Sequence, residues 1–100
     1  MIFEWDEEKR RANRRKHGLD FSDCAAVFGG PLVSVVDDRF DYGEVRVRAY
    51  GILHRRLVQV VYTERSGTIR VISMRKANRY EEAYYFESIK NRLEAHRCDA

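Results

Sequence analysis

The stretch RVISMRKANR, residues 70–79, sets four cations (Arg70, Arg75, Lys76 and Arg79) around the strand-formers Val71 and Ile72. A guanidinium carries a planar fork of donors and stays charged at neutral pH, so Arg70 and Arg75 suit a phosphate clamp. Read structurally instead, Arg70 is an outer-face arginine paired with a carboxylate such as Glu64. Arg75, Lys76 and Arg79 lie where a strand runs into a helix N-terminus, whose free N–H groups and partial positive charge already favour an anion. Cations gathered there oppose the dipole and call for an offsetting anion, either phosphate or an acidic side chain of this chain or a partner. Upstream, Lys16 and His17 precede Gly18. They read either as cations favoured at a helix C-terminus or as proton carriers, since the imidazole range suits general acid–base work near neutrality. Glu81 reads as a cap or a catalyst, and Tyr80 and Tyr84 as packing or base-stacking residues. His54 falls in a turn and His96 near the chain end. Ser73 has no nucleophile elbow. Walker, dinucleotide-binding and metal-ligand spacings are absent, so no cofactor is expected and an enzyme here would work metal-free on a charged substrate.

The elements that must position these residues follow from pattern. Asp6 caps a helix over 7–16 that Gly18 ends. Trp5 and Ala12 are expected to rest it on the domain, with Arg10 and Arg14 directed outward. A short helix is expected over 22–28, broken by Gly29-Gly30-Pro31. Strands are expected at 32–36, 44–51, 57–64 and 68–75, with a hairpin turn at 65–67. Strict alternation in the last strand sends Ile69, Val71, Ser73 and Arg75 one way and Arg70, Ile72 and Met74 the other. A long helix over 79–96 opens on an Asn78/Glu81 capping box and carries an apolar arc of Tyr85, Phe86, Ile89 and Leu93. The fold class is α+β: two N-terminal helices, a four-stranded, mainly antiparallel meander and a long C-terminal helix.

One hundred residues suggest a single domain, residues 1–100, and 44% hydrophobic with 35% charged residues is a globular composition with a charged surface. No apolar run approaches the ~20 residues of a membrane span, and the start MIFEWDEE is no signal peptide, so a cytoplasmic chain without membrane contact is expected. Cys24 and Cys98 have no CxxC neighbour and read as reduced thiols. Net charge is only +3, but residues 9–16, KRRANRRK, hold six cations and no anion. With the 70–79 patch this points to a phosphate-rich or an acidic partner.

The order Phe3-Glu4-Trp5-Asp6, Asn13, Lys16-His17-Gly18, Phe21, Val27-Phe28, Arg46, Gly51, Val61-Tyr62-Thr63-Glu64-Arg65 and Arg70 through Ala77 resembles the BrnT family of toxins over roughly residues 3–85. The family pattern has a small residue where Met74 stands, so Met74 adds volume near the site, and Thr where Asn78 stands, an equivalent cap. The resemblance implies a RelE-like fold and a metal-independent ribonuclease that blocks translation. It also implies a BrnA-like ribbon-helix-helix antitoxin, with operator DNA reached only through that partner. On this reading Arg70 and Arg75 stabilise the phosphate, Lys16 or His17 carries protons, and Arg10, Arg14, Lys76 and Arg79 bind RNA. The competing reading is a non-catalytic basic module or co-repressor partner that binds nucleic acid or an acidic protein.

Overall fold

Asp6 starts the first helix, α1 (Glu7–His17), by accepting from the N–H groups of Glu8 and Lys9, and Gly18, at φ 71°, ends it. Acids in its first turn and Arg14, Arg15, Lys16 and His17 in its last both complement the helix dipole. The computed structural model describes residues 1–39 and 41–98, apart from the side chains of 96–98, so His96 and Cys98 lie outside the described side chains. The helix expected over 22–28 is split into a short 3₁₀ helix, Phe21–Asp23, and α2 (Cys24–Phe28), with Asp20 accepting from the Ser22 N–H.

The expected meander is present as β2 (Val33–Asp37), β3 (Arg46–Leu53), β4 (Arg56–Arg65) and β5 (Thr68–Lys76). It is not the whole sheet. Among the described residues there is a fifth strand, β1 (Ile2–Glu4), parallel to β5, giving a mixed sheet of order β1-β5-β4-β3-β2. Three residues carry no readable period, and this strand exists because the edge of β5 offers it a partner. The two tight hairpins turn on Ser66-Gly67 (φ 51° and 81°) and His54-Arg55 (φ 49° and 68°). Both left-handed pairs suit the primed turns that match strand twist.

The two faces of the sheet differ. On one, Phe21, Cys24 and Val27 pack with Leu53, Val58, Val60, Ile69, Val71 and Met74. Burial pushes the Cys24 thiol up to about 11. Gly51 lets α2 approach, since a Cβ there would lie 2.8 Å from Val27 Cγ1 and 2.9 Å from Leu32 Cδ2. Met74 is fully buried in this core, which corrects the expectation that its bulk lies near the site. α1 lies along β5, and Ala12 is exposed rather than seated. Trp5 packs against this core as expected, and in place of Ala12 the helix is seated by Asn13, whose Oδ1 accepts from the Met74 N–H and whose Nδ2 donates to the Leu19 carbonyl.

The opposite face carries a smaller cluster of Val33, Tyr50, Leu57 and Tyr85 beneath α3 (Arg79–Cys98). Twenty residues make α3 about 30 Å long. Ile89 packs under it, but Phe86 and Leu93, expected in the same arc, are 57% and 62% exposed. Among the described residues, no helix is long and apolar enough to cross a membrane.

Candidate functional site

Arg70 and Arg75 are five residues apart, an odd number that simple alternation would send to opposite faces. The register shows otherwise. Val61 pairs with Ser73 and Tyr62 with Val71, so β5 holds an extra residue, Ile72, against β4. This bulge changes the phase. Arg75 then opposes Gln59 and Arg70 opposes Thr63, and because these partners are four residues apart on β4, both arginines share the face that carries α3. Their Cα atoms stand about 13 Å apart along the strand, with Arg70 beside Glu4 and Arg75 on Glu81. The expected division of β5 into opposite pleats is thereby corrected.

The same face carries Arg46, Arg48 and Tyr50 of β3, through their pairing with Asp37, Val35 and Val33 on β2 and with β4. Arg46 was legible only as part of a resemblance and Arg48 was missed. The alternation in EVRVRAY was the signal that puts both on one side. Arg46 stacks over the Tyr42 ring at 4.0 Å and reaches Glu44 at 3.4 Å. The buried Asp37 carboxylate is held by Arg39 and the Tyr42 hydroxyl, and its carboxyl sits well below the usual range, chiefly through the Arg39 hydrogen bond.

The anion demanded by the cations at the start of α3 is Glu81. The capping box forms as expected: Asn78 Oδ1 accepts from the Glu81 N–H, and Glu81 Oε1 accepts from the Asn78 N–H at 2.8 Å. Glu81 also holds Arg75 through two bonds of 2.8 Å, and its Oε2 accepts from the Tyr50 hydroxyl and from Gln59 Nε2. Burial pushes the Glu81 carboxyl up, but Arg75, the Asn78 N–H and Tyr50 together outweigh it and bring it to about 2. Glu81 thus fixes Arg75 and the helix start in one network. Lys76 and Arg79 remain exposed beside it. Arg70 lies 3.5 Å from Glu4 on β1 rather than against Glu64.

Lys16 and His17 come to the free edge of β5, where with Lys9, Asn13, Ile72 and Ser73 they line a recess of about 230 Å³. The His17 imidazole is lowered by burial first, then by the charges of Lys16 and Arg75. This environment disfavours the charged form of the ring. Arg75 is close enough to act on it, whereas Arg70 lies toward the β1 end. Arg10 is engaged elsewhere: its guanidinium grips Asp20 at 2.7 and 3.0 Å and reaches Glu7 at 3.0 Å, tying α1 to the following turn. Arg14 is exposed, 3.9 Å from Asp20.

A second recess, of about 400 Å³, opens between the sheet and α3 and is lined by Val35, Arg48, Tyr50, Asn78, Tyr80, Glu81 and Tyr84. Tyr80 and Tyr84, one turn apart, are 87% and 52% exposed, so they do not belong to the core. The whole face joins fixed cationic donors to exposed aromatic rings, with the His17 imidazole at one edge. Such a set can hold a phosphodiester, stabilise charge on its oxygens and exchange a proton.

Residues 5–81 match the family model described as the ribonuclease toxin, BrnT, of type II toxin–antitoxin systems. The matched span runs from Trp5 at the approach to α1 through the capping box at Glu81. No curated protein matches the chain.

Proposed function

The chain belongs to the BrnT family of ribonuclease toxins of type II toxin–antitoxin systems, and from that premise we propose how its own residues cut RNA. The 2′-hydroxyl attacks the adjacent phosphorus, which requires a base for that hydroxyl, charge stabilisation on the phosphoryl oxygens and an acid for the leaving oxygen. Arg70 and Arg75 stabilise the phosphoryl oxygens, with Arg79 assisting, and the reaction uses no metal. His17 and Lys16 exchange the protons, and His17, lowered by its surroundings, is the better fitted to begin as base. Lys76 and Arg14 hold flanking phosphates. Arg10 is held by Asp20 and Glu7 as Arg75 is held by Glu81; at the α1 end it adds to the cationic surface that flanks the bound RNA.

One observation carries this reading: the bulge in β5 puts Arg70 and Arg75 on one face. The RelE-like architecture, cytoplasmic action and translation block belong to the same proposal. So does neutralisation by a BrnA-like ribbon-helix-helix antitoxin whose acidic segment covers Lys16, Arg70 and Arg75, and which brings the pair to operator DNA. The test is cleavage of a labelled RNA by Arg70→Ala and Arg75→Ala. Loss of a fixed charge stabiliser costs about 10²–10³-fold in rate. Full activity in both variants removes the clamp. RNA bound but left intact by the antitoxin-free chain would favour a non-catalytic binding module.

A further inference from the structure

Arg48 is the anomaly on the arginine face. Its side chain is 23% exposed, yet its guanidinium makes no hydrogen bond among the described residues, and the nearest carboxylate oxygen, on Asp37, stands 4.0 Å from Nε. Nε itself is buried without a partner. Asp37 thus balances the charge of Arg48 at the edge of ion-pair distance, but of the guanidinium nitrogens Nε is shut away without a hydrogen bond, and the two terminal amines, with no hydrogen bond among the described residues, are left to an acceptor from outside the chain. Its surroundings limit what that acceptor is. The acceptors beside it are taken: both Glu81 oxygens by Arg75, Asn78, Tyr50 and Gln59, the Tyr50 oxygen by Gln59, and Asn78 Oδ1 by the Glu81 N–H. The apolar walls of the recess are Val35, Tyr80 and Tyr84, and the engaged Tyr50, Asn78 and Glu81 close its floor. The recess therefore offers flat apolar surface and a fork of unused donors.

We propose that this recess is a nucleobase pocket that selects guanine. The base stacks on Tyr80 and Tyr84 and presents its O6/N7 edge to Arg48. Guanine carries two adjacent acceptors on that edge, which match the guanidinium fork, whereas adenine puts an amino donor beside its N7. Stacking on the tyrosines is sequence-tolerant and supplies affinity; Arg48 supplies the choice. Arg48 lies on β3, two strands from Arg70 and Arg75 on β5, about 10 Å across the same face, so base and phosphate of neighbouring nucleotides are read together. This inference rests on the ribonuclease reading for its substrate but on separate residues for its chemistry.

The experiment is calorimetric titration of the full chain with 3′-GMP, 3′-AMP and inorganic phosphate, alongside RNA cleavage. GMP is expected to bind about tenfold or more tighter than AMP. Arg48→Lys keeps the charge but loses the fork, and should bring the two nucleotides level. Tyr84→Ala should weaken both by about fivefold or more while leaving their ratio intact. Both tyrosines are exposed, so unchanged thermal unfolding should accompany the Tyr84 result. Equal binding of GMP and AMP by the natural chain, a preference that survives Arg48→Lys, or phosphate binding that depends on Arg48 would each overturn the pocket. A chain that prefers GMP but leaves RNA intact upholds the pocket and removes the ribonuclease reading. Cleavage without any GMP preference does the reverse.

Discussion

Replacing Glu81 by glutamine keeps the shape of the side chain and removes its charge, at a position where every neighbour donates. Arg75 supplies two hydrogen bonds, the Asn78 N–H and Tyr50 hydroxyl one each, and Gln59 a longer one. A glutamine amide would turn an N–H₂ toward part of this set. The Glu81 carboxyl sits at about 2 against an ordinary 4.5, and that gap corresponds to about 3 kcal/mol in favour of the folded, ionised form at neutral pH. Because the folded value is the lower one, the contribution is complete above about pH 4.5 and fades as the pH falls toward 2. Urea unfolding of Glu81→Gln at pH 7 is therefore expected to show a loss of about 2–3 kcal/mol. The difference from the natural chain should shrink as the pH is lowered through that window. A loss under about 0.5 kcal/mol at pH 7, or one that persists undiminished at the lowest pH, would refute the assignment of Glu81 as the charged hub of the α3 start.

Three further outcomes follow from other residues. Gly51→Ala drives a Cβ to 2.8 Å from Val27 Cγ1 and 3.2 Å from the Val27 carbonyl, and should cost about 1–3 kcal/mol, read as a lower thermal midpoint; an unchanged midpoint would mean that α2 yields freely. Asn13→Ala strips the acceptor from the buried Met74 N–H and the donor from Leu19; a loss of about 2 kcal/mol is expected in denaturant, and no loss would show that water replaces the side chain. The acid limb of the cleavage pH profile should lie below the ordinary imidazole value, because His17 is lowered, and should vanish in His17→Gln; a profile unaltered by that change would remove His17 from proton transfer.

What was legible in the sequence was what is decided locally. Asp6, Gly18 and the Asn78/Glu81 box all cap the helices that their types announced, and Ser66-Gly67 turns the hairpin expected at 65–67. Each depends on a few neighbouring residues and on backbone geometry alone. The site was legible as residue types and not as an arrangement. Glu81 was visible as a cap, but nothing near it in sequence announces Tyr50 or Gln59, which reach it from other strands. Arg48 was not legible because its unusual feature, a buried Nε without a hydrogen bond, exists only once the fold has placed every other acceptor.

The bulge is the instructive miss, because its signal was present. Ile69, Val71 and Met74 are the buried apolar residues of β5, and their spacing goes from two to three. Strict alternation would keep Ser73 and Arg75 on the face of Ile69 and Val71, carrying a guanidinium toward the core packed under α2 and leaving Met74 outside. Burying an unpaired charge costs several kcal/mol, more than the distortion of one bulged residue. The chain resolves the conflict by inserting Ile72. That step seats Met74 in the core and leaves its N–H on the edge of β5 past the end of β1, where Asn13 of α1 accepts it. The same half-turn of phase that satisfies the core carries Arg75 round to join Arg70. The juxtaposition of the two arginines is thus dictated by the apolar residues between them, and the hydrogen bond from Met74 to Asn13 ties it to the helix that bears Lys16 and His17.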